Sequence, residues 1–266
     1  MNRMHDRVVL VTGAARGMGR SHCVRLAEEG ASVVAVDLAD ADDDLQRTAE
    51  EVGWVGARCV TAHADVRDPA AMEAAVARGI DRFGGLDGVI ASAGIYPPAR
   101  RSWELDDELW QRALDVNLTG VWHTVKATVP RMTPGAAVVV IGSTNALKGT
   151  AGTSHYCASK HAVVGLVQTL ANELGAAGIR VNAVHPGSVG TAMILNDEVF
   201  AKLRPDLSSP GEEDAARALA SRTLLGVSWV DPVDVSNAVL YLISDEARYV
   251  TGANIVVDAG LVAKAS

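Results

Sequence analysis

Tyr156 and Lys160 stand four residues apart at the start of an otherwise apolar helical pattern, "SHYCASKHAVVGLVQTLANELG" (154–175). That spacing puts both side chains on one helix face, one turn apart. A tyrosine with its ordinary pKa near 10 is a poor base, and bringing it to about 7 takes roughly 4 kcal/mol of preferential phenolate stabilisation. An ammonium group a few ångströms away in a partly desolvated cleft supplies much of that. The spacing by itself leaves two readings open: a proton-transfer pair, or a snorkelling lysine beside an interfacial tyrosine.

A second stretch bears on that choice. "VTGAARGMG" follows the first β-branched run and opens a helical pattern, with Gly13, Gly17 and Gly19 spaced G-x-x-x-G-x-G. Glycines there permit a tight turn and close backbone approach, and a helix N-terminus offers unpaired N–H groups to a pyrophosphate. Asp37 ends the second run, eighteen residues after Gly19. An acid at that position accepts hydrogen bonds from both hydroxyls of an adenosine ribose. A 2′-phosphate would face it: at about 4 Å and an effective dielectric near 20, the repulsion is of order 4 kcal/mol per unit charge. Asp40 and Asp42 to Asp44 deepen the negative field, against which Arg16 is a single cation, so NAD is expected over NADP.

The elements that must carry these residues are legible as short β-branched runs at 7–12, 32–37, 57–64, 87–92, 136–143, 179–184 and 253–258, separated by helical patterns. The runs are apolar on both parities, as parallel strands covered on both faces require. The expectation is an α/β fold: one doubly wound Rossmann domain over 1–266 with a seven-stranded parallel sheet flanked by helices. Residues 188–230 break the alternation and contain the turn-rich "RPDLSSPGEED"; an excursion of that length reads as a substrate lid, or as a surface helix pair.

Bulk properties narrow the class. The chain has 266 residues, 48% of them hydrophobic, and a net charge of −8. No basic cluster is present to neutralise phosphates, which argues against nucleic acid and anionic membranes as partners. No run nears the roughly 18 apolar residues that span a bilayer, and "MNRMHDRVVLVTG" lacks the apolar stretch of a signal peptide. Cys23, Cys59 and Cys157 are too few and scattered for a disulfide framework, so a reducing, cytoplasmic setting is expected. His63, His123 and His161 lack metal-ligand spacing, and no metal is expected. His155 and Cys157 read as packing residues beside the tyrosine.

Taken together, the motifs resemble the short-chain dehydrogenase/reductase family along essentially the whole chain. The matching pieces are "TGAARGMG" (12–19), "AD" with Val66 at 64–66, "ASAG" (91–94), "VNLTG" (116–120), "IGS" (141–143), "YCASK" (156–160), "HPGSVGT" (185–191) and "TGANIVVDAG" (251–260). Two longer runs, 13–37 and 229–260, look like the actinobacterial group related to carveol dehydrogenases. That group usually has a longer insertion after the second strand, and the family more often has asparagine where Ser92 stands here.

The resemblance implies a ketone/alcohol oxidoreductase. It assigns proton transfer to Tyr156, the substrate-oxygen contact to Ser143, cofactor and charge duties to Lys160, and to Asn117 a helix distortion and a water-linked relay with Lys160. It adds Met18, Leu38, Asp65, Val66, Ser92, Ala93, Gly94, Pro186, Gly187, Val189 and Thr191 to Gly13, Arg16, Gly17, Gly19, Asp37, Tyr156 and Lys160 as cofactor contacts. Ser143, Asn145, Tyr96, Met193 and Tyr156, with Trp229 a further candidate, are expected to face a hydrophobic secondary alcohol or ketone. A homotetramer and an external redox carrier, mycofactocin, are the partners the analogy offers. An NADPH-dependent 3-oxoacyl reductase is the alternative within the fold, disfavoured by Asp37. A non-enzymatic dinucleotide sensor is the alternative outside it, disfavoured because such proteins typically lose the tyrosine or lysine.

Overall fold

Alternate residues of each β-branched run face opposite sides of a single sheet, and both sides are covered. The computed structural model describes residues 2–265. Its strands are β1 (Val8–Thr12), β2 (Ser32–Asp37), β3 (Cys59–His63), β4 (Leu86–Ala91), β5 (Met132–Ile141), β6 (Arg180–Pro186) and β7 (Asn254–Val257). All neighbours pair in parallel, in the order β3-β2-β1-β4-β5-β6-β7. The expected seven-stranded parallel sheet is therefore present, with ends shifted by a few residues.

Val9, Val11, Val33, Ile90 and Val139 point to one face, beneath α1 (Gly17–Ala27), α2 (Asp42–Trp54) and α9 (Pro232–Ile243). Val8, Leu10, Val34, Val89 and Val138 point to the other, beneath α3 (Pro69–Phe83), α5 (Gly120–Thr128) and α6 (Ser154–Leu174). Burying a valine or leucine side chain contributes about 1.5–3 kcal/mol, so two covered faces fix the strands without help from polar alternation.

Local signals set several helix ends. The Asp68 side chain accepts from the Ala70 and Ala71 amides at the start of α3, with Pro69 in the first turn, and Gly84 closes the helix at φ 89°. The long pattern from Asp107 onward is interrupted: α4 (Asp107–Leu114) runs into a π-helical turn over Asp115–Thr119 before α5 resumes. The excursion at 188–230 folds as a helix pair, α7 (Asp197–Leu203) and α8 (Glu212–Ala220).

The strand order reverses between β1, whose chain continues to β2, and β4, which leads to β5. That switch point opens a crevice at the carboxyl ends of the strands. Among the described residues, no helix is long and apolar enough to cross a membrane, and no cluster of His, Cys, Asp or Glu is placed to hold a metal ion.

Candidate active site

The crevice is a cleft of about 620 Å³ floored by the glycine turn. Gly13 and Gly17 adopt left-handed φ of 69° and 52°. A Cβ on Gly13 would come within 2.8 Å of the Ala93 backbone, and one on Gly19 would overlap the Gly13 carbonyl. The turn therefore needs glycine at these places for closeness to β4 and for its own fold. Arg16 precedes α1 in extended conformation without a side-chain cap, and no acid sits in the first turn. The helix thus presents its first N–H groups toward the cleft, where the macrodipole favours an anion.

Asp37 closes β2 at the rim. Its Oδ2 accepts from the Ala15 amide at 2.8 Å and its Oδ1 from the Leu38 amide at 2.8 Å. A carboxylate has about four acceptor sites, so one lone pair per oxygen remains for ribose hydroxyls. The cations beside it are committed elsewhere. Arg16 pairs with Asp44, which Arg20 also contacts at 3.2 Å. Arg67 holds Asp65 at 2.6 Å, keeping that carboxyl below its usual range. Backbone closeness, exposed helix N–H groups and the acid together fit a dinucleotide with an unphosphorylated adenosine ribose.

Gly13, Arg16, Gly17, Met18, Gly19, Asp37 and Leu38 all border this cleft, as do Asp65, Val66, Ser92, Ala93 and Gly94. The Ser92 and Ala93 amides donate to Thr12 Oγ1, both at 3.2 Å, which binds the ends of β1 and β4 together. Serine at position 92 leaves this main-chain junction intact. Thr191, Met18 and Met193 border both this cleft and a second cavity of about 240 Å³. Pro186, Gly187, Val189, Ser143, Asn145, Tyr96 and Tyr156 line the second cavity. Trp229 does not face it in the expected way; the indole packs behind the loop, where a Cβ on Gly190 would lie 2.8 Å from its Cδ1.

Tyr156 sits in the first turn of α6, 9% exposed. Burial pushes its phenol up to about 12, while the Ser143 hydroxyl beside it pulls the other way. Lys160, on the same face, is also buried; desolvation lowers its ammonium to about 8. Its Nζ lies 5.9 Å from the Tyr156 ring centre and donates to the Ile141 carbonyl at 2.8 Å. The expected lowering of the tyrosine by the lysine is thus not a property of the chain alone. Both groups pay a desolvation cost, and the lysine is held by β5.

Ser143 follows β5 in extended conformation, and its Oγ accepts from the Asn145 amide at 3.1 Å. Its own amide donates to His185 Nδ1 at 3.2 Å, and His185 Nε2 meets Asn254 Oδ1 at 2.8 Å. His185 Nδ1 also lies 3.1 Å from the Ser143 carbonyl, so the ring meets both polar groups of the Ser143 main chain. Burial keeps the imidazole neutral by lowering its pKa. His185 thus braces the Ser143 main chain, a role hidden in the sequence because the two lie on different strands.

Asn117 occupies the π-turn, fully buried. Its Oδ1 accepts from the Ile95 amide at 2.8 Å; its Nδ2 donates to the Ile95 carbonyl at 3.0 Å and to Ser159 Oγ at 3.3 Å. The side chain therefore pins the loop after β4 to α6. Gly94 turns its bare face to the same place: a Cβ there would lie 3.2 Å from Asn117 Oδ1 and 3.7 Å from Lys160 Nζ.

The remaining cavity wall comes from parts without a sequence signature. Val199, Lys202 and Leu203 of α7 and Leu219 of α8 contribute, with Arg222 just beyond. Lys202 Nζ donates to the Tyr96 hydroxyl at 2.5 Å, and Tyr96 packs edge-on to Tyr156 with ring centres 4.8 Å apart. Leu261 reaches the cavity from the segment after β7. That segment straps the end of α8: the Ala259 carbonyl accepts from the Leu224 and Leu225 amides at 3.0 and 3.1 Å, and Lys264 Nζ donates to the Ser221 carbonyl at 2.7 Å. Ala259 holds φ 52° to do so.

Known proteins resemble this chain in sequence and fold. A family model described as "Enoyl-(Acyl carrier protein) reductase" matches residues 13–262. The (-)-trans-carveol dehydrogenase of Rhodococcus erythropolis is 44% identical over 277 residues, spanning 99% of this chain and 100% of that protein. A 3-alpha-(or 20-beta)-hydroxysteroid dehydrogenase of Mycobacterium tuberculosis is 40% identical over 266 residues, 98% of this chain and 91% of that one. The crystal structure of carveol dehydrogenase from Mycobacterium avium in complex with NAD matches with a TM-score of 0.97 and 45% identity, covering 99% of this chain and 100% of that chain.

Proposed function

The chain belongs to the short-chain dehydrogenase/reductase family, and from that premise we propose that it interconverts a hydrophobic secondary alcohol and its ketone with NAD(H). The observation that carries this reading is the position of Tyr156 and Ser143 in a cavity that shares Met18, Thr191 and Met193 with the dinucleotide cleft.

NAD, when bound, accepts hydride from the alcohol carbon and returns it in the reverse direction. The chain's own residues handle the oxygen and its proton. Ser143 Oγ donates to the substrate oxygen and holds it beside the phenol. Tyr156 gives its proton to that oxygen in reduction and takes it in oxidation. With its phenol raised by burial, Tyr156 is suited to the acid role as it stands; the base role depends on positive charge brought near it, which Lys160 supplies in part. Asn117 keeps the π-turn and the loop after β4 in register with α6. Gly13, Gly17 and Gly19 admit the pyrophosphate, and Asp37 takes the ribose hydroxyls.

The 3-oxoacyl reductase alternative needs a cation free for a 2′-phosphate, and Arg16 and Arg67 are paired with Asp44 and Asp65. We assign the helix pair of 188–230 the role of substrate wall and lid. Half-exposed Trp110 and Trp122 on α4 and α5 are consistent with a helix-paired homotetramer, which light scattering of the purified protein tests. The primary test is Tyr156→Phe. Turnover, read as NADH absorbance with a panel of secondary alcohols, should fall at least about a thousandfold, while NAD affinity measured by calorimetry changes little. Retained turnover would remove Tyr156 from the mechanism.

A further inference from the structure

We propose that the natural substrate carries an anionic group, a carboxylate foremost, at the end of its apolar body away from the reacting carbon. This deepens the alcohol/ketone reading above and rests on it. The second cavity is lined by three cations, Lys148, Lys202 and Arg222, and by no aspartate or glutamate. Such a lining runs against the composition of the chain, which has 32 acids to 24 lysines and arginines. The three residues come from separate places: after β5, from α7, and beyond α8. Their convergence is a tertiary feature that no run of sequence displays.

Among the described residues, none of the three forms an ion pair. Lys148 Nζ donates to the Leu261 carbonyl at 3.3 Å and Lys202 Nζ to the Tyr96 hydroxyl, both uncharged acceptors. Among the described residues, Arg222 has no side-chain hydrogen bond or ion pair. The acid that acts on Lys202 is solvent-exposed Glu198, one turn back on α7, which does not ion-pair with it; the Cys157 thiol also lies near, and Arg222 opposes both. Lys202 is half-buried, and the like charge of solvent-exposed Arg222 repels it. A bound anion relieves that repulsion and gains charge-assisted hydrogen bonds.

The geometry sets where the anion goes. Tyr96 neighbours both Lys202 and the reaction centre: its ring centre lies 4.8 Å from that of Tyr156 and 5.0 Å from Lys202 Nζ. Lys202 is therefore within the sum of those spacings of Tyr156, about the reach of one substituted ring. The same cavity is lined by Val189, Ile194, Val199, Leu203 and Leu219, which suit an apolar substrate body. The cofactor's phosphates do not account for the three cations: these border the second cavity and not the dinucleotide cleft, whose own arginines are Arg16, Arg67 and Arg112.

The test uses the full chain with saturating NAD at low ionic strength. Initial rates are compared for cis-3-hydroxycyclohexanecarboxylate, its uncharged carboxamide, and carveol. The expected result is a preference of about tenfold or more in kcat/KM for the carboxylate over the carboxamide, carried mainly by KM. That preference should shrink in 0.5 M KCl, since the Debye length falls below about 5 Å. It should also shrink roughly tenfold in Arg222→Gln and in Lys202→Gln. Equal or better turnover of the carboxamide, or a preference that survives both substitutions, overturns the proposal. Oxidation of carveol without oxidation of the carboxylate also overturns it and leaves the oxidoreductase reading standing. Failure of all three alcohols, in the presence of demonstrated NAD binding, counts against the oxidoreductase reading itself.

Discussion

Lys160 is charged at neutral pH in a place that resists charge. Desolvation lowers its ammonium from the ordinary lysine value to about 8, so between pH 8 and 10.5 the unfolded chain binds the extra proton. Stability from this group therefore rises with pH through that window, and below pH 8 its cost is complete, about 3 kcal/mol. The hydrogen bond to the Ile141 carbonyl offsets part of it. Lys160→Met should accordingly raise Tm by a few degrees at pH 7, roughly 2–4 °C per kcal/mol for a chain of this size, while turnover falls at least about a hundredfold. Calorimetry across pH 7 to 10 checks this: the gap between variant and wild type should narrow as pH rises. A lower Tm for the variant would mean that the lysine stabilises the fold. At the same scale, the sequence named Tyr156, Lys160, Ser143 and Asn117 as candidates but carried no sign of their electrostatics. Spacing along a helix shows that two groups can meet; it does not show that burial drives both away from their charged forms.

The π-turn at Asp115–Thr119 is the element through which α6 is tied to the loop after β4. Its presence follows from no local propensity, since a single asparagine in a helical pattern is only mildly unfavourable; family resemblance alone raised it. What holds it is tertiary: Asn117 bonds to Ile95 and Ser159, and Gly94 leaves room beside Asn117 and Lys160. Gly94→Ala should crowd that point. A Cβ at 3.2 Å from Asn117 Oδ1 forces a small shift, costing about 1–3 kcal/mol by the usual scale of overpacking. The expected outcome is a kcat reduced about tenfold or more with NAD affinity within about threefold, since each 1.4 kcal/mol is a factor of ten in rate. Stopped-flow measurement of hydride transfer with separate NAD titration distinguishes the two. An unchanged kcat would show that the neighbourhood yields without consequence. The excursion at 188–230 was legible as a candidate lid or helix pair, but its particular contacts, Lys202 with Tyr96 and Leu219 with the cavity, were not, because they join residues far apart in the chain.

Across the whole molecule, cofactor choice is a matter of how acids and arginines are distributed around the adenosine end. Asp37 ties down the Ala15 and Leu38 amides, and the proposed function gives it the ribose hydroxyls as well. Replacing it alone should lower kcat/KM with NAD about tenfold or more and give little with NADP, because Arg16 stays with Asp44. The pair Asp37→Ser with Asp44→Ala frees Arg16, and the NADP-to-NAD ratio of kcat/KM should then rise about a hundredfold over wild type. Parallel steady-state assays with both cofactors decide it; a switch produced by the first substitution alone would show that the Arg16–Asp44 pair has no influence. The doubly covered sheet and the glycine turn were readable at this scale because each rests on a contiguous stretch. The second cavity was not, since its lining is drawn from α1, the loops after β4 and β5, the end of β6, α6, α7, α8 and the segment after β7.

That last segment makes the two chain ends unequal as handles. The N-terminal residues pack at the amino end of β1, where the Met4 amide meets the Glu29 carbonyl, remote from the chemistry. The other end holds α8 in place through Ala259 and Lys264 and presents Leu261 to the cavity. A purification tag or surface tether attached there would pull on the substrate pocket and leave the nucleotide half undisturbed. By the same token, a library confined to 259–264 is a way to diversify which alcohols are accepted without retuning how NAD is held.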